Sequence, residues 1–88
     1  MNILMTGAFQ PNSSELALLE AAGHKVFFHS DERASVDNPK LYEAVVCGSL
    51  FRYNPIEEFT GLRLIQLTCA GIDHIPLDYI RRHGIELH

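Results

Sequence analysis

The sequence predicts an α/β fold, namely a flavodoxin-like, doubly wound parallel sheet of about five strands in a three-layer α/β/α arrangement. Short apolar runs alternate with segments of helical pattern along all 88 residues. Parallel strands need crossovers of this kind, with helices on both faces of the sheet. The expected strand order is 2-1-3-4-5, which makes the third and fourth strands neighbours.

The first half of the chain supplies two strands and one helix. An apolar run at residues 2–6 ends at Gly7 and predicts the first strand. Asn12, followed three residues later by Glu15, predicts a capping box at the start of a helix that Gly23 terminates. The run Lys25-Val26-Phe27-Phe28 predicts the second strand, and the polar residues 30–39 predict a loop.

The second half repeats this alternation. Ala44-Val45-Val46-Cys47 predicts a third strand that is buried on both faces, because its residues do not alternate in polarity. The other expected elements are a helical turn at 40–43, a short helix at 55–59, a fourth strand at 62–68, a helix at 76–83 and the start of a fifth strand at 85–87. Since no helix follows the fifth strand, we expect one domain, 1–88, that is incomplete at its C-terminus.

Composition excludes several classes of protein. With 47% hydrophobic and 20% charged residues, the chain is expected to form one globular domain. The net charge of −4 comes without a basic stripe, which argues against binding to nucleic acid. No apolar run approaches the ~20 residues of a membrane span. Without a signal peptide, a cytoplasmic location is expected.

The cysteines, glycines and histidines predict neither a metal site nor a cofactor site. Cys47 and Cys69 are expected to be buried thiols at the ends of adjacent strands. No two glycines are separated by one residue, so the G-x-G-x-x-G motif of dinucleotide binding is absent. The histidines form no i, i+4 pair and have no Cys-x-x-Cys companion. They are His24, His29, His74, His83 and His88.

Ligands of open α/β sheets bind beyond the carboxyl ends of the strands. The expected loops there are 7–12, 47–54 and 69–76, and two of them carry the pairs Gly48-Ser49 and Ala70-Gly71. Backbone amides in such turns can hold a carboxylate. Spacing alone favours the simpler interpretation, in which these glycines only make turns. Phe51 and Tyr53 either wall a pocket or cover the core, and Asp73-His74 does not by itself establish a catalytic pair.

One segment carries a longer motif, Leu64-Ile65-Gln66-Leu67-Thr68-Cys69-Ala70-Gly71-Ile72-Asp73-His74-Ile75-Pro76-Leu77-Asp78. It resembles the pattern L-[apolar]-x-x-x-[ST]-A-G-[apolar]-D-x-[IV]-[DP] of the D-isomer-specific 2-hydroxyacid dehydrogenases. The following Arg81-Arg82-His83-Gly84-Ile85 resembles the basic helix end and Gly-Ile of the same family, which includes enzymes similar to phosphoglycerate dehydrogenase. The resemblance covers the whole chain and agrees with the flavodoxin-like fold.

The resemblance implies the N-terminal part of a substrate-binding domain that takes a small 2-hydroxy or 2-oxo acid. The backbone amides of Ala70 and Gly71 would hold the substrate carboxylate, and the Gly48-Ser49-Leu50 loop would line the same site. Cys69 departs from the family, where Ser or Asn is common. The intact enzyme would use NAD or NADP and form a homodimer.

The dinucleotide-binding domain and the family's catalytic Arg, Glu and His lie beyond this chain, so no residue here is assigned a catalytic role. We therefore expect the isolated chain to be inactive and to bind no cofactor. The alternative is a standalone flavodoxin-like binding or interaction module without catalysis. A receiver domain is disfavoured because Gly7-Ala8 and Cys47-Gly48 replace the acidic residues it needs. A flavin carrier is disfavoured because Phe9-Gln10-Pro11 provides no phosphate loop. A remnant that associates through its fifth strand is a further possibility.

Overall fold

The computed structural model describes residues 1–7, 11–68 and 75–88. Its strands are β1 (Asn2–Thr6), β2 (Lys25–His29), β3 (Ala44–Cys47), β4 (Leu64–Leu67) and β5 (Glu86–Leu87). Its α-helices are α1 (Ser13–Ala21), α2 (Leu50–Tyr53) and α3 (Leu77–Arg82). Single turns of 3₁₀ helix occupy Pro39–Leu41 and Ile56–Glu58.

All five strands are parallel and lie in the order β2-β1-β3-β4-β5. This confirms the predicted fold class and strand order. The register places Leu4 beside Val45, Val45 beside Ile65, and Ile65 beside Leu87, so one apolar row crosses four strands. Such a row forms a continuous apolar face that packs into the core, as is typical of parallel sheets.

The two faces of the sheet bury unequal cores. The larger core lies over the row through Val45 and also takes Leu50, Phe59 and Ile80 from the segments that follow β3 and β4. On the opposite face the buried residues are Ile3, Met5 and Ala44, against which Leu19 of α1 packs. Helices therefore cover both faces. Right-handed crossovers lead to this arrangement because the chain moves in one direction from β1 to β2 and in the opposite direction from β3 to β4.

Several element boundaries differ from those expected. The predicted helix at 55–59 is a single 3₁₀ turn, and the predicted fourth strand at 62–68 contracts to Leu64–Leu67. Helix α2 was not predicted, because four residues are too few to show a helical period. α1 begins with the predicted capping box, in which Asn12 accepts from the Glu15 amide and Glu15 accepts from the Asn12 amide.

Candidate functional site

The topological switch point lies between β1 and β3, whose carboxyl ends are adjacent while their following segments depart in opposite directions. Thr6 ends β1, and Gly48 and Ser49 follow β3. In open α/β sheets this crevice is the place where ligands bind. The chain thus brings the predicted Gly48-Ser49 loop to the expected edge.

A carboxylate of the chain itself occupies this crevice. Glu32 comes from the loop after β2, and its Oε2 accepts from the amide of Gly48 at 2.9 Å. Its Oε1 accepts from the amide of Ser49 at 3.0 Å. The Thr6 hydroxyl donates to Oε2 with an oxygen–oxygen distance of 2.6 Å, and it also lies 3.1 Å from the Val46 carbonyl oxygen. Charge-assisted hydrogen bonds of this kind are roughly twice as strong as neutral ones.

Asn54 fixes the backbone that carries Glu32. Its side-chain amide donates to the carbonyl oxygens of Glu32 and Ala34, each at 3.1 Å. Its carbonyl oxygen accepts from the amide of Val36 at 3.0 Å. Asn54 is only 5% exposed, so these hydrogen bonds are shielded from competing water. Asn54 directly follows α2, and the two loops at this edge are therefore tied together from both sides.

A small open cavity of about 270 Å³ lies over the same crevice. Its lining combines hydroxyl groups with charged side chains, and comprises Gly7, Ser30, Asp31, Glu32, Arg33, Ser49 and Tyr53. Gly7 has φ +69°, and a Cβ added there would lie 3.5 Å from the carboxyl carbon of Glu32. L side chains rarely adopt this φ, so glycine ends β1 here without backbone strain, and the Cβ distance is that of an ordinary van der Waals contact.

The residues predicted around this loop differ in burial. Leu50 is completely buried in the larger core, so its side chain supports the loop from below. Phe51 also packs in the core, edge-on to Phe59 with ring centroids 5.2 Å apart. Tyr53 is 49% exposed and lines the cavity. Phe51 therefore covers the core, whereas Tyr53 lines the pocket.

The second predicted loop lies outside the described residues. This applies to Cys69, Ala70 and Gly71, and equally to Asp73 and His74. Cys47, the other cysteine, is fully buried in β3. The loop's flanking strand β4 sits beside β3, so the two predicted loops leave adjacent strands. Glu32 and Asn54 were not identified from the sequence. Glu32 lies in a polar loop and Asn54 follows a four-residue helix, and neither belongs to a recognisable motif.

The described histidines belong to no cluster with the composition of a metal site. Within residues 1–7, 11–68 and 75–88, no three His, Cys, Asp or Glu side chains come close enough to hold a metal ion. His83 stacks on Tyr79 at a ring distance of 3.8 Å, and its Nδ1 lies 2.9 Å from the Tyr79 carbonyl oxygen. In the same part of the chain, no helix has the length and apolar character needed to cross a bilayer.

The geometry defines an open α/β domain with carboxylate-binding amides at the carboxyl edge of its sheet. Residues 3–88 match the family model described as D-isomer specific 2-hydroxyacid dehydrogenase, catalytic domain. The chain belongs to this family. No curated protein matches the sequence.

Solved structures share the fold at low identity. The TT0316 protein from Thermus thermophilus is 20% identical with a TM-score of 0.65. D-lactate dehydrogenase from Salmonella is 23% identical with a TM-score of 0.60, and the apo enzyme from Escherichia coli is 21% identical with a TM-score of 0.59. In each case 99% of this chain is covered, but it spans only 29–30% of the other chain's length.

Proposed function

We propose that this chain is the substrate-binding part of an NAD-dependent D-2-hydroxyacid dehydrogenase. The observation that carries the proposal is the family match over residues 3–88. The overall reaction oxidises the 2-hydroxy acid to a 2-oxo acid, with a hydride passing to NAD⁺ and a proton released. The two named D-lactate dehydrogenases that share its fold make a small 2-hydroxy acid the natural first substrate to test.

The role proposed for this chain is to bind and orient the acid. The backbone amides of Ala70 and Gly71 receive its carboxylate, and Cys69 precedes them in the sequence. The loop from Gly48 to Leu50 flanks the same site through β3, which is adjacent to β4. Because the Gly48 and Ser49 amides already donate to Glu32, this loop contributes the Ser49 side chain and not a second carboxylate site.

The residues present do not fit the nicotinamide cofactor. The glycine spacing lacks the dinucleotide-binding motif. The end of β1, where a pyrophosphate would bind in a dinucleotide-binding fold, faces the Glu32 carboxylate. The choice between NAD and NADP, and the roles of the family's arginine, glutamate and histidine, are assigned to no residue within 1–88. Homodimer formation and a cytoplasmic location are part of the same proposal.

The proposal is tested by titrating the ¹⁵N-labelled chain with pyruvate, using propionate as a matched acid without the 2-oxo group. We expect pyruvate to shift the Ala70 and Gly71 amide resonances more strongly than propionate does. Equal and weak shifts throughout would favour the alternative, a binding module with another ligand. A parallel assay with NADH and pyruvate is expected to show no oxidation by the isolated chain. Activity proportional to the purified chain would contradict the assignment of the hydride step to residues outside it.

A further inference from the structure

The crevice between β1 and β3 is where a doubly wound fold ordinarily receives its ligand, yet here it contains Glu32. The carboxylate reaches across sequence separations of 16, 17 and 26 residues to Gly48, Ser49 and Thr6. These three hydrogen bonds span the ends of β1 and β3. A contact of this kind restricts the position of one loop relative to the other.

We propose that Glu32 is a positioning residue of the substrate site. Its carboxylate presets the Gly48-Ser49 loop and closes the β1/β3 crevice to anions, so that a substrate carboxylate is directed to the loop after β4. The direction of the substrate carboxylate to the loop after β4 rests on the proposed function. The preset loop and the closed crevice rest only on the contacts of Glu32.

The surroundings of Glu32 support this role. Asn54 holds its backbone through the Glu32 and Ala34 carbonyl oxygens, so the side chain starts from a fixed position. The side chain also packs against the end of β1, since a Cβ added at Gly7 would lie in ordinary van der Waals contact with the Glu32 carboxyl group, at 3.5 Å. Two amides aimed at one carboxylate cannot hold a second one at the same time. An anionic substrate would also meet the negative charge of Glu32 there.

The test compares the 88-residue chain with its Glu32→Ala and Glu32→Gln variants, and with Glu20→Gln as the control. Glu20 is exposed on α1, so the control makes the same change of charge away from the crevice. Amide resonances of Gly48 and Ser49 are recorded by NMR, and thermal unfolding is followed in sodium acetate and in sodium chloride at equal ionic strength.

We expect Glu32→Ala to move both amide resonances and to lower Tm by roughly 5–15 °C, as the loss of charge-assisted hydrogen bonds in a small domain implies. Acetate should restore part of the loss in Glu32→Ala and shift the two amides toward their original positions, whereas chloride should not. Glu32→Gln should lose stability without gaining a response to acetate, because its amide fills the space. Glu20→Gln should behave as the unaltered chain.

Recovery in acetate but not in chloride shows that the vacated site takes a carboxylate. A gain of pyruvate shifts at Gly48 and Ser49 in Glu32→Ala is the result that a merely structural glutamate would not give. Amides that stay in place in Glu32→Ala, or equal effects of acetate and chloride, would overturn the proposal. If Glu32→Ala does not fold in plain buffer, recovery of dispersed amide resonances in acetate but not in chloride supports the proposal. Failure in both salts, together with unmoved Gly48 and Ser49 amides in Glu32→Gln, refutes it.

A pyruvate titration separates this inference from the proposed function. In Glu32→Ala pyruvate should shift the Gly48 and Ser49 amides far more than in the unaltered chain, where Ser49 only flanks the bound acid. Equal shifts of these amides in the two chains would refute the closed crevice while leaving the dehydrogenase assignment standing. If pyruvate binds nowhere on the unaltered chain, the proposed substrate fails, and the acetate comparison still decides the role of Glu32.

Discussion

Tyr42 illustrates how burial alters the chemistry of a single residue. It is 7% exposed and packs edge-on against Phe27, with ring centroids 5.4 Å apart. Desolvation raises the pKa of its phenol above the ordinary value of 10.0, and the negative charge of Asp37 raises it further. The neutral phenol is therefore the form that the folded chain favours.

A loss of stability at alkaline pH follows from this shift. The unfolded chain releases the phenolic proton at about pH 10, before the folded chain does, so unfolding is favoured as pH rises above that value. The loss should level off once the pH exceeds the raised pKa of the folded state. Tyr42→Phe removes the titrating group and should lessen this dependence. Tyr53→Phe, which removes a hydroxyl group from an exposed tyrosine, is the matched control.

The measurement is the free energy of unfolding in urea at several pH values from neutral to alkaline. The quantity compared is the alkaline slope of each variant and not its absolute stability, since the lost hydroxyl itself alters packing. Equal slopes for Tyr42→Phe and the unaltered chain would show that the phenol does not govern alkaline stability.

Glu32 shows at the same scale why part of the site escapes sequence reasoning. A glycine next to another small residue after an apolar run is visible in the sequence. This signal correctly located the Gly48-Ser49 loop at the carboxyl edge of the sheet. The carboxylate that binds these amides lies 16 and 17 residues earlier, in a polar loop without periodicity. Nothing local distinguishes it from neighbouring acidic residues such as Asp31.

At the scale of elements, α1 depends on its cap more than a buried helix does. None of its residues is fully buried, so little burial energy stabilises it. The capping box supplies two hydrogen bonds, from the Glu15 amide to Asn12 at 2.8 Å and from the Asn12 amide to Glu15 at 3.0 Å. These bonds satisfy donors that a helix start otherwise leaves open.

Asn12→Ala should therefore cost about 1 kcal/mol of stability and reduce the helicity of α1. Urea denaturation measures the first effect, and ¹³Cα chemical shifts of the helix residues measure the second. Ser14→Ala is the matched control, because Ser14 is exposed inside the same helix and alanine is the better helix former. A loss of helicity in the control equal to that in Asn12→Ala would argue against the capping box.

The elements predicted best are those with the most local signals. Strands β1 and β3 begin and end where the apolar runs do, and α1 follows its cap. Predictions were poorer for the segment 48–59, which contains α2 and a 3₁₀ turn. Its apolar residues are spaced by the shape of the core they fill, so they follow no helical or strand period.

At the scale of the whole molecule, stability should be graded across the sheet. Val45 lies in β3 with strands on both sides and is completely buried. β5 has two residues and pairs on one side only, within the described part of the chain. Local opening costs less free energy where fewer contacts must be broken.

We expect the Val45 amide to exchange with deuterium more slowly than the Glu86 amide, by on the order of a hundredfold or more. The Glu86 amide is a fair comparison because it is also hydrogen-bonded, to the Arg63 carbonyl oxygen at 2.9 Å. Hydrogen exchange followed by NMR gives both rates. Similar protection of the two amides would mean that the sheet opens as one unit.

The amino-acid sequence by itself determined the family, the α/β class and the strand order, because alternation, capping and turn signals act over a few neighbouring residues. The tertiary structure alone decided which group meets the amides of Gly48 and Ser49. That contact exists only when the reversal of strand order brings the ends of β1 and β3 together beneath the loop after β2. Its partners are remote in sequence and close only after the sheet has formed.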